Sequence, residues 1–333
     1  MKQALVITSI NGPTDIIGSL AKIAETMKTE LIVIGDRKSP AVFEMNGVDF
    51  YSIARQNELG LKFVEKCHMN SYTRKNIGYL VAWKNGAEVI VETDDDNIPK
   101  DNYVSFLDKV LEIDVTTNSG WINAYTHFTK KPIWPRGFPL ELVQESFTEK
   151  IQTKKKTVIC PVQQGLADAD PDVDAVYRLV FPLPLDFDSN TSIALGKDAW
   201  CPFNSQNTAW WKCAFPLLYL PSYCSFRMTD IWRSFVAQRI CWEYGWHILF
   251  KEATMCQDRN VHNYLKDFAD EVVGYLKNDQ ISKILSALPL SNKIEDIWDN
   301  LFASYEALVN EGIFDKEELT LLSLWKEDAL SFK

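Results

Sequence analysis

The sequence predicts an α/β fold, a mostly parallel sheet flanked by helices, with a helical appendage at the C-terminus. Three observations predict it. Apolar runs of strand length alternate with stretches of helical periodicity through the first hundred residues. An apolar strand at 87–93 runs straight into three carboxylates, Asp94, Asp95 and Asp96. From His262 onward the chain reads as mostly helix, punctuated by Pro289 and Gly312.

Each element follows from its residues. The stretch 4–10 is a short apolar run, the first strand, and 13–27 places apolar residues at helical spacing. A second strand follows at 30–35, a helix at 72–85 and the acid-bearing strand at 87–93. Strands joined by helices in this order must cross over, which makes the sheet parallel and puts helices on its faces. Residues 118–225 are rich in Pro, Trp, Phe and Asn and show little periodicity, so irregular loops are expected there. A helix is predicted at 229–244, stopped by Gly245, then a strand at 247–251.

Composition narrows the function classes. The chain has 333 residues, 46% of them hydrophobic, enough for a large core. A net charge of −10 argues against a general nucleic-acid or membrane-surface binder, either of which needs a basic face. No apolar run is long enough for a transmembrane segment, and the first residues lack the pattern of a signal peptide. Seven cysteines, odd in number and without a C-x-x-C pair, read as reduced thiols and not as a zinc site. A cytoplasmic protein is the expectation.

The acid run carries the chemistry. Unpaired carboxylates are costly at the edge of a core, and a divalent cation removes that cost. Mg²⁺ and Mn²⁺ take oxygen ligands, and strand ends in α/β sheets are where ligands bind. Asp94 and Asp96 alternate and can turn to one side, so they are the metal candidates, with Asp94 and Asp95 also facing a nucleotide. Thr8 and Ser9 end the first strand and suit a base pocket, although a helix cap fits them equally. Asp36 follows the second strand and can accept from a nucleobase or ribose, or simply form a turn. Lys75 and Asn76 are within reach of a diphosphate. Asp230 opens a helix and suits either a cap or a general base that deprotonates an acceptor hydroxyl. The alternating Asp168, Asp170, Asp172 and Asp174 suit a wall that binds sugar hydroxyls, and Trp200, Trp210, Trp211 and Trp232 suit either sugar stacking or core. The run Lys154–Lys156 reads as a solvated loop or a contact for an anionic acceptor.

These residues also carry a resemblance. Arg74-Lys75-Asn76-Ile77-Gly78 leading to Asp94–Asp96 is similar to the R-N-x-G…D-x-D pattern of family-2 inverting glycosyltransferases. Thr229-Asp230 stands where that family has Glu-Asp, so only the Asp role carries over. The longer blocks resemble STELLO-type glycosyltransferases: Glu92–Pro99, Trp134–Pro139, Gln164–Ala175, Pro202–Thr208 and Ser225–Arg233. The resemblance implies a GT-A-like, Rossmann-type fold. It also implies a nucleotide-sugar donor, a UDP- or GDP-sugar, with Mn²⁺ or Mg²⁺ on its diphosphate, and a saccharide or glycan acceptor, as in polysaccharide biosynthesis. His262 is implied as a further metal ligand, because many such enzymes complete the shell with a C-terminal His. The corresponding division is a catalytic domain at 1–257 and the helical appendage at 258–333. Within the former, 1–117 binds the nucleotide-sugar and 118–257 serves the acceptor. A nucleotide-sugar mutase of the arabinose type, or a non-catalytic partner-binding protein on a transferase fold, are the alternatives.

Overall fold

The structure is a computed structural model and describes residues 1–103, 108–258 and 263–332. Its strands are β1 (Gln3–Thr8), β2 (Glu30–Ile34), β3 (Val48–Tyr51), β4 (Val89–Thr93), β5 (Asn97–Pro99), β6 (Val110–Thr116), β7 (Gly120–Trp121), β8 (Thr153–Asp168), β9 (Ser192–Ala194), β10 (Ala199–Trp200), β11 (Asn207–Trp211) and β12 (Trp246–Gln257). Its helices are α1 (Asp15–Met27), α2 (Ile53–Asn57), α3 (Lys62–Lys66), α4 (Lys75–Lys84), α5 (Val143–Ser146), α6 (Ala175–Val180), α7 (Thr229–Glu243), α8 (Tyr264–Ser286), α9 (Ile297–Asn310) and α10 (Glu317–Ser331).

The expected α/β architecture is present. One sheet runs in the order β3-β2-β1-β4-β11-β8-β6-β9-β12-β5, with β8 also paired to β12. The first four strands of that order are parallel, with α1 crossing from β1 to β2 and α2–α4 from β3 to β4. β4 is buried along its whole length, which is why it reads as a continuous apolar run. α4 lies close on β1 and β2. A Cβ at Gly78 would stand 2.5 Å from Val6 Cγ1, so only glycine permits that approach.

Beyond β4 the sheet becomes mixed. β11 is antiparallel to both β4 and β8, and β8 is parallel to β12. The carboxyl ends of β1, β2, β4, β8 and β12 therefore share one edge with the amino end of β11. Thr8, Ser9, Asp36, Asp94–Asp96 and Gln257 reach the site from that edge.

Residues 118–225 are more regular than their composition suggests. They contain β8, a strand of 16 residues, and β11. The start of β8, around Lys154–Lys156, is exposed and its latter half is buried, so neither part alternates as a half-buried strand would. β12 likewise extends well beyond the short strand expected, with register shifts along its pairing to β8.

The C-terminal helices form as expected and share the main core. Tyr305, Leu308, Leu321 and Trp325 cluster with Trp83, Phe215 and Tyr219. Glu318 of α10 accepts from the Tyr219 hydroxyl and from the Ser222 and Tyr223 amides. Burial pushes its carboxyl up to about 7 against those hydrogen bonds. The seven cysteines are unpaired. No helix of the described residues is long and apolar enough to cross a membrane.

Candidate active site

A cavity of about 590 Å³ opens at the shared sheet edge. Thr8 and Ser9 reach it from the end of β1, Asp36 from β2 and Asp94, Asp95 and Asp96 from β4, so one wall joins six residues that the sequence singles out. Each acid is held differently. Asp94 Oδ1 accepts from Lys75 Nζ at 2.9 Å and from the Tyr72 hydroxyl at 2.8 Å. Asp95 Oδ2 accepts from the Ser9 hydroxyl at 2.5 Å and Asn11 Nδ2 at 3.1 Å. Burial raises the Asp95 carboxyl, the Ser9 and Asn11 hydrogen bonds oppose that rise, and the Asp94 charge adds to it. Asp96 Oδ2 accepts from Gln257 Nε2 at 3.2 Å. Asp36 takes the amides of Arg37 and Ser71 at 2.7 and 2.9 Å.

Two of the sequence candidates for the diphosphate do not reach the cavity. Lys75 is fully buried behind Asp94, where its ammonium also donates to the Ser205 carbonyl at 3.0 Å. It neutralises Asp94 from the protein side. Asn76 is fully buried, and its amide both donates to and accepts from the Leu220 backbone at 2.9 Å. It fixes a loop and has no polar atom left for a ligand. His262 lies outside the described residues.

Asp230 stands one layer back, at the start of α7, and it is not the helix cap, a place taken by Met228. Arg136 clamps both of its oxygens, at 3.0 and 2.8 Å, and clamps Asp172 in the same fork at 2.8 and 2.9 Å. Burial alone would raise Asp172, but Arg136 and the Asn204 amide hold its carboxyl down at about 2. Ser205 donates to Asp230 Oδ2 from its amide at 3.2 Å and its hydroxyl at 3.4 Å, and that hydroxyl meets the Tyr72 hydroxyl at 2.5 Å. A continuous chain of hydroxyls therefore links Asp230 to the Asp94 wall.

A second ion pair fixes the spacing between the two acids. Glu92, two residues before Asp94, is fully buried and bonds Arg233, three residues after Asp230, at 2.9 and 2.7 Å. Trp210 Nε1 and the Tyr79 hydroxyl donate to the same carboxylate. The strand that carries the triplet is thereby fastened to the helix that carries Asp230.

The loop acids do not form a sugar-binding wall. Asp168 pairs with Lys100, Asp170 with Arg178 and Asp172 with Arg136, while Asp174 caps α6 and accepts from Trp134 Nε1 at 2.6 Å. Burial pushes Asp174 up to about 7. All four candidate tryptophans are buried. The aromatic rings that do line the cavity are Tyr72 and Phe226, which meet edge to face with centroids 5.9 Å apart.

Sequence reasoning missed Arg136, Arg227 and Gln257. A signal for Arg136 exists: it sits among Ile133, Trp134, Pro135, Gly137 and Phe138, and a cation in so apolar a loop requires a buried partner.

The donor set suits a hard divalent cation. Asp94 and Asp96 present carboxylate oxygens to the cavity, and Gln257 Oε1, buried beside Asp96, has no hydrogen-bond partner. Among the described residues no group of three or more His, Cys, Asp or Glu converges on a point.

Comparison with known proteins bears out the resemblance read from the motifs. The model of the family described as STELLO glycosyltransferases matches residues 227–333. Two Arabidopsis thaliana proteins, "Probable glycosyltransferase STELLO1" and "Probable glycosyltransferase STELLO2", are 27% and 28% identical across 98% of this chain. The chain spans 44% of the length of each. A solved mycobacterial protein superposes with a TM-score of 0.41 at 9% identity, covering 83% of this chain and 74% of that one.

Proposed function

We propose that this chain, similar to STELLO glycosyltransferases over nearly its whole length, transfers a sugar from a UDP- or GDP-sugar to a saccharide or other hydroxyl acceptor. The observation that carries the reading is the convergence of Asp36, Ser9 and Asp94–Asp96 on one cavity at the carboxyl edge of a parallel sheet. In this reading the nucleoside lies toward Asp36 and the diphosphate lies over the triplet. Asp94 and Asp96, with Gln257 beside them, hold Mg²⁺ or Mn²⁺, which when bound supplies positive charge against the leaving diphosphate.

Asp230 is the general base of the inverting reaction. It lies behind the wall, so the proton travels to it along hydroxyls. For the relay the Tyr72 hydroxyl turns its one proton from Asp94 Oδ1 to Ser205 Oγ, 2.5 Å away: it takes the acceptor proton and hands its own to Ser205, which hands its own to Asp230 Oδ2. Burial raises the Tyr72 phenol far above its ordinary value, so it stays neutral and serves only as a relay. Arg136 keeps Asp230 aimed along that path. A cytoplasmic location completes the reading, on the unpaired thiols.

The test is release of nucleoside diphosphate from a panel of UDP- and GDP-sugars with Mn²⁺ and a saccharide acceptor. Asp94→Asn with Asp96→Asn is expected to abolish release, and Asp230→Asn to lower turnover about 100-fold or more with donor affinity intact. Rearrangement of the donor without any acceptor would replace this reading by that of a mutase. Full activity of Asp230→Asn in a folded protein would remove the base.

A further inference from the structure

The cavity wall carries three cations, Lys38, Arg74 and Arg227, and they are not equivalent. Arg74 is directed away, its guanidinium donating to the carbonyls of Cys67 and His68 and to Gln56. Lys38 follows Asp36 at the end of β2, the nucleoside end of the proposed site. Arg227 follows Phe226, which also lines the cavity, just ahead of α7.

Arg227 is buried and pairs with Glu271, and the Asp172 carboxylate also feels its charge. Glu271 of α8 accepts from Nε at 2.9 Å and lies 2.7 Å from Nη2. Glu271 is itself fully buried and also accepts from the Ala175 amide at 2.7 Å and the Tyr275 hydroxyl at 2.6 Å, so the anchor is rigid. Nη2 is buried against Glu271, and among the described residues Nη1 has no protein acceptor. A guanidinium with Nη1 hydrogens left over, at the wall of a cavity that also bears the three carboxylates, is built to meet an anion.

We infer that Arg227, tethered by Glu271 of α8, binds the distal phosphate of the donor diphosphate. The inference rests on the nucleotide reading of the cavity and adds a recognition residue to it. A cation held by Asp94 and Asp96 leaves phosphate oxygens facing away from it, and Arg227 supplies donors on that side. The arrangement also couples donor binding to α8, because the arm is fixed only through that helix.

The experiment measures Kd by calorimetry for a nucleoside monophosphate and its diphosphate, in the uridine and guanosine series, with Mn²⁺. Arg227→Met is expected to weaken the diphosphate by about 10- to 100-fold and leave the monophosphate within about twofold. Arg227→Met with Glu271→Gln removes both buried charges and guards against misfolding of the single variant. It is expected to show the same loss of discrimination. A purely structural role would weaken both nucleotides alike and overturns the inference, as does a diphosphate affinity equal to that of the wild type. If the wild type binds no nucleotide of either series, the donor reading itself falls, and the assignment of Arg227 falls with it.

Discussion

The Glu92–Arg233 pair offers the sharpest test of how the site is held together. Both side chains are buried, and the carboxylate accepts four hydrogen bonds, two from Arg233 and one each from Tyr79 and Trp210. Arg233 also lies over the Trp210 ring, 4.9 Å from its centroid. Glu92→Ala strands a buried guanidinium, which costs about 3–5 kcal/mol. It also orphans a phenol and an indole N–H, at roughly 1 kcal/mol or more each. Against a total of about 5–15 kcal/mol for a typical domain, that loss approaches unfolding. Glu92→Gln keeps the volume and one acceptor and is expected to cost about 2–3 kcal/mol. Glu92→Leu combined with Arg233→Met removes both charges and is expected to cost at least about 2 kcal/mol less than the two single changes added together. Urea midpoints followed by tryptophan fluorescence read all five variants, the two single changes of the cycle included. A loss under about 0.5 kcal/mol for Glu92→Gln, or strict additivity in the double variant, would refute the view that this pair fastens β4 to α7.

Three further outcomes follow from particular contacts. Gly137 has φ +90, and a Cβ there would sit 2.4 Å from Ile231 Cγ2, the neighbour of Asp230, so Gly137→Ala is expected to lower stability by about 1–3 kcal/mol and displace Asp230. Thermal melting and turnover measured together check it, and an unchanged melting temperature would contradict the packing. Gln257→Leu is expected to weaken Mn²⁺ binding and Gln257→Glu to strengthen it, read by calorimetry with nucleoside diphosphate present; equal affinities would remove Gln257 from the metal shell. The pH dependence has two limbs. Asp174 is raised to about 7 in the fold, so the native state holds a proton that the unfolded chain loses near 4, and stability falls as pH climbs between those values. Relative to wild type, Asp174→Asn should gain at most about 1.4 kcal/mol per pH unit from 4 to 7 and nothing more above that, on top of a pH-independent offset. Asp172 works in the opposite sense: held down at about 2, it contributes stability above about 4 that is lost as pH falls from there towards 2. A difference between wild type and Asp174→Asn that stays flat from pH 4 to 7 would refute the burial argument.

What was legible in the sequence was local. A continuous apolar run into three aspartates marks a buried parallel strand and its ligand edge because both properties reside in neighbouring residues, and the helix from Thr229 is equally self-contained. Ser9, Asp36 and Asp94 could be expected at one cavity because parallel strands align their carboxyl ends whatever the intervening sequence. The depth of each residue was not legible. Lys75 and Asn76 sit side by side in the pattern, yet both are buried, one beneath Asp94 and the other against Leu220, because helix α4 presses its face onto the sheet at Gly78. Nor could spacing say which cation meets which acid. Asp168, Asp170, Asp172 and Asp174 read as one acidic surface, but each turns to a separate partner: Lys100, Arg178, Arg136 and Trp134. The antiparallel placement of β11 is the decisive long-range step. It carries Asn204 and Ser205 to the edge where β4 ends, and there Arg136 and Asp230 close around them. Composition can state that so many buried charges must be paired. Only the reversed strand determines that the pairing occurs behind the triplet, with the Tyr72 and Ser205 hydroxyls between Asp94 and Asp230.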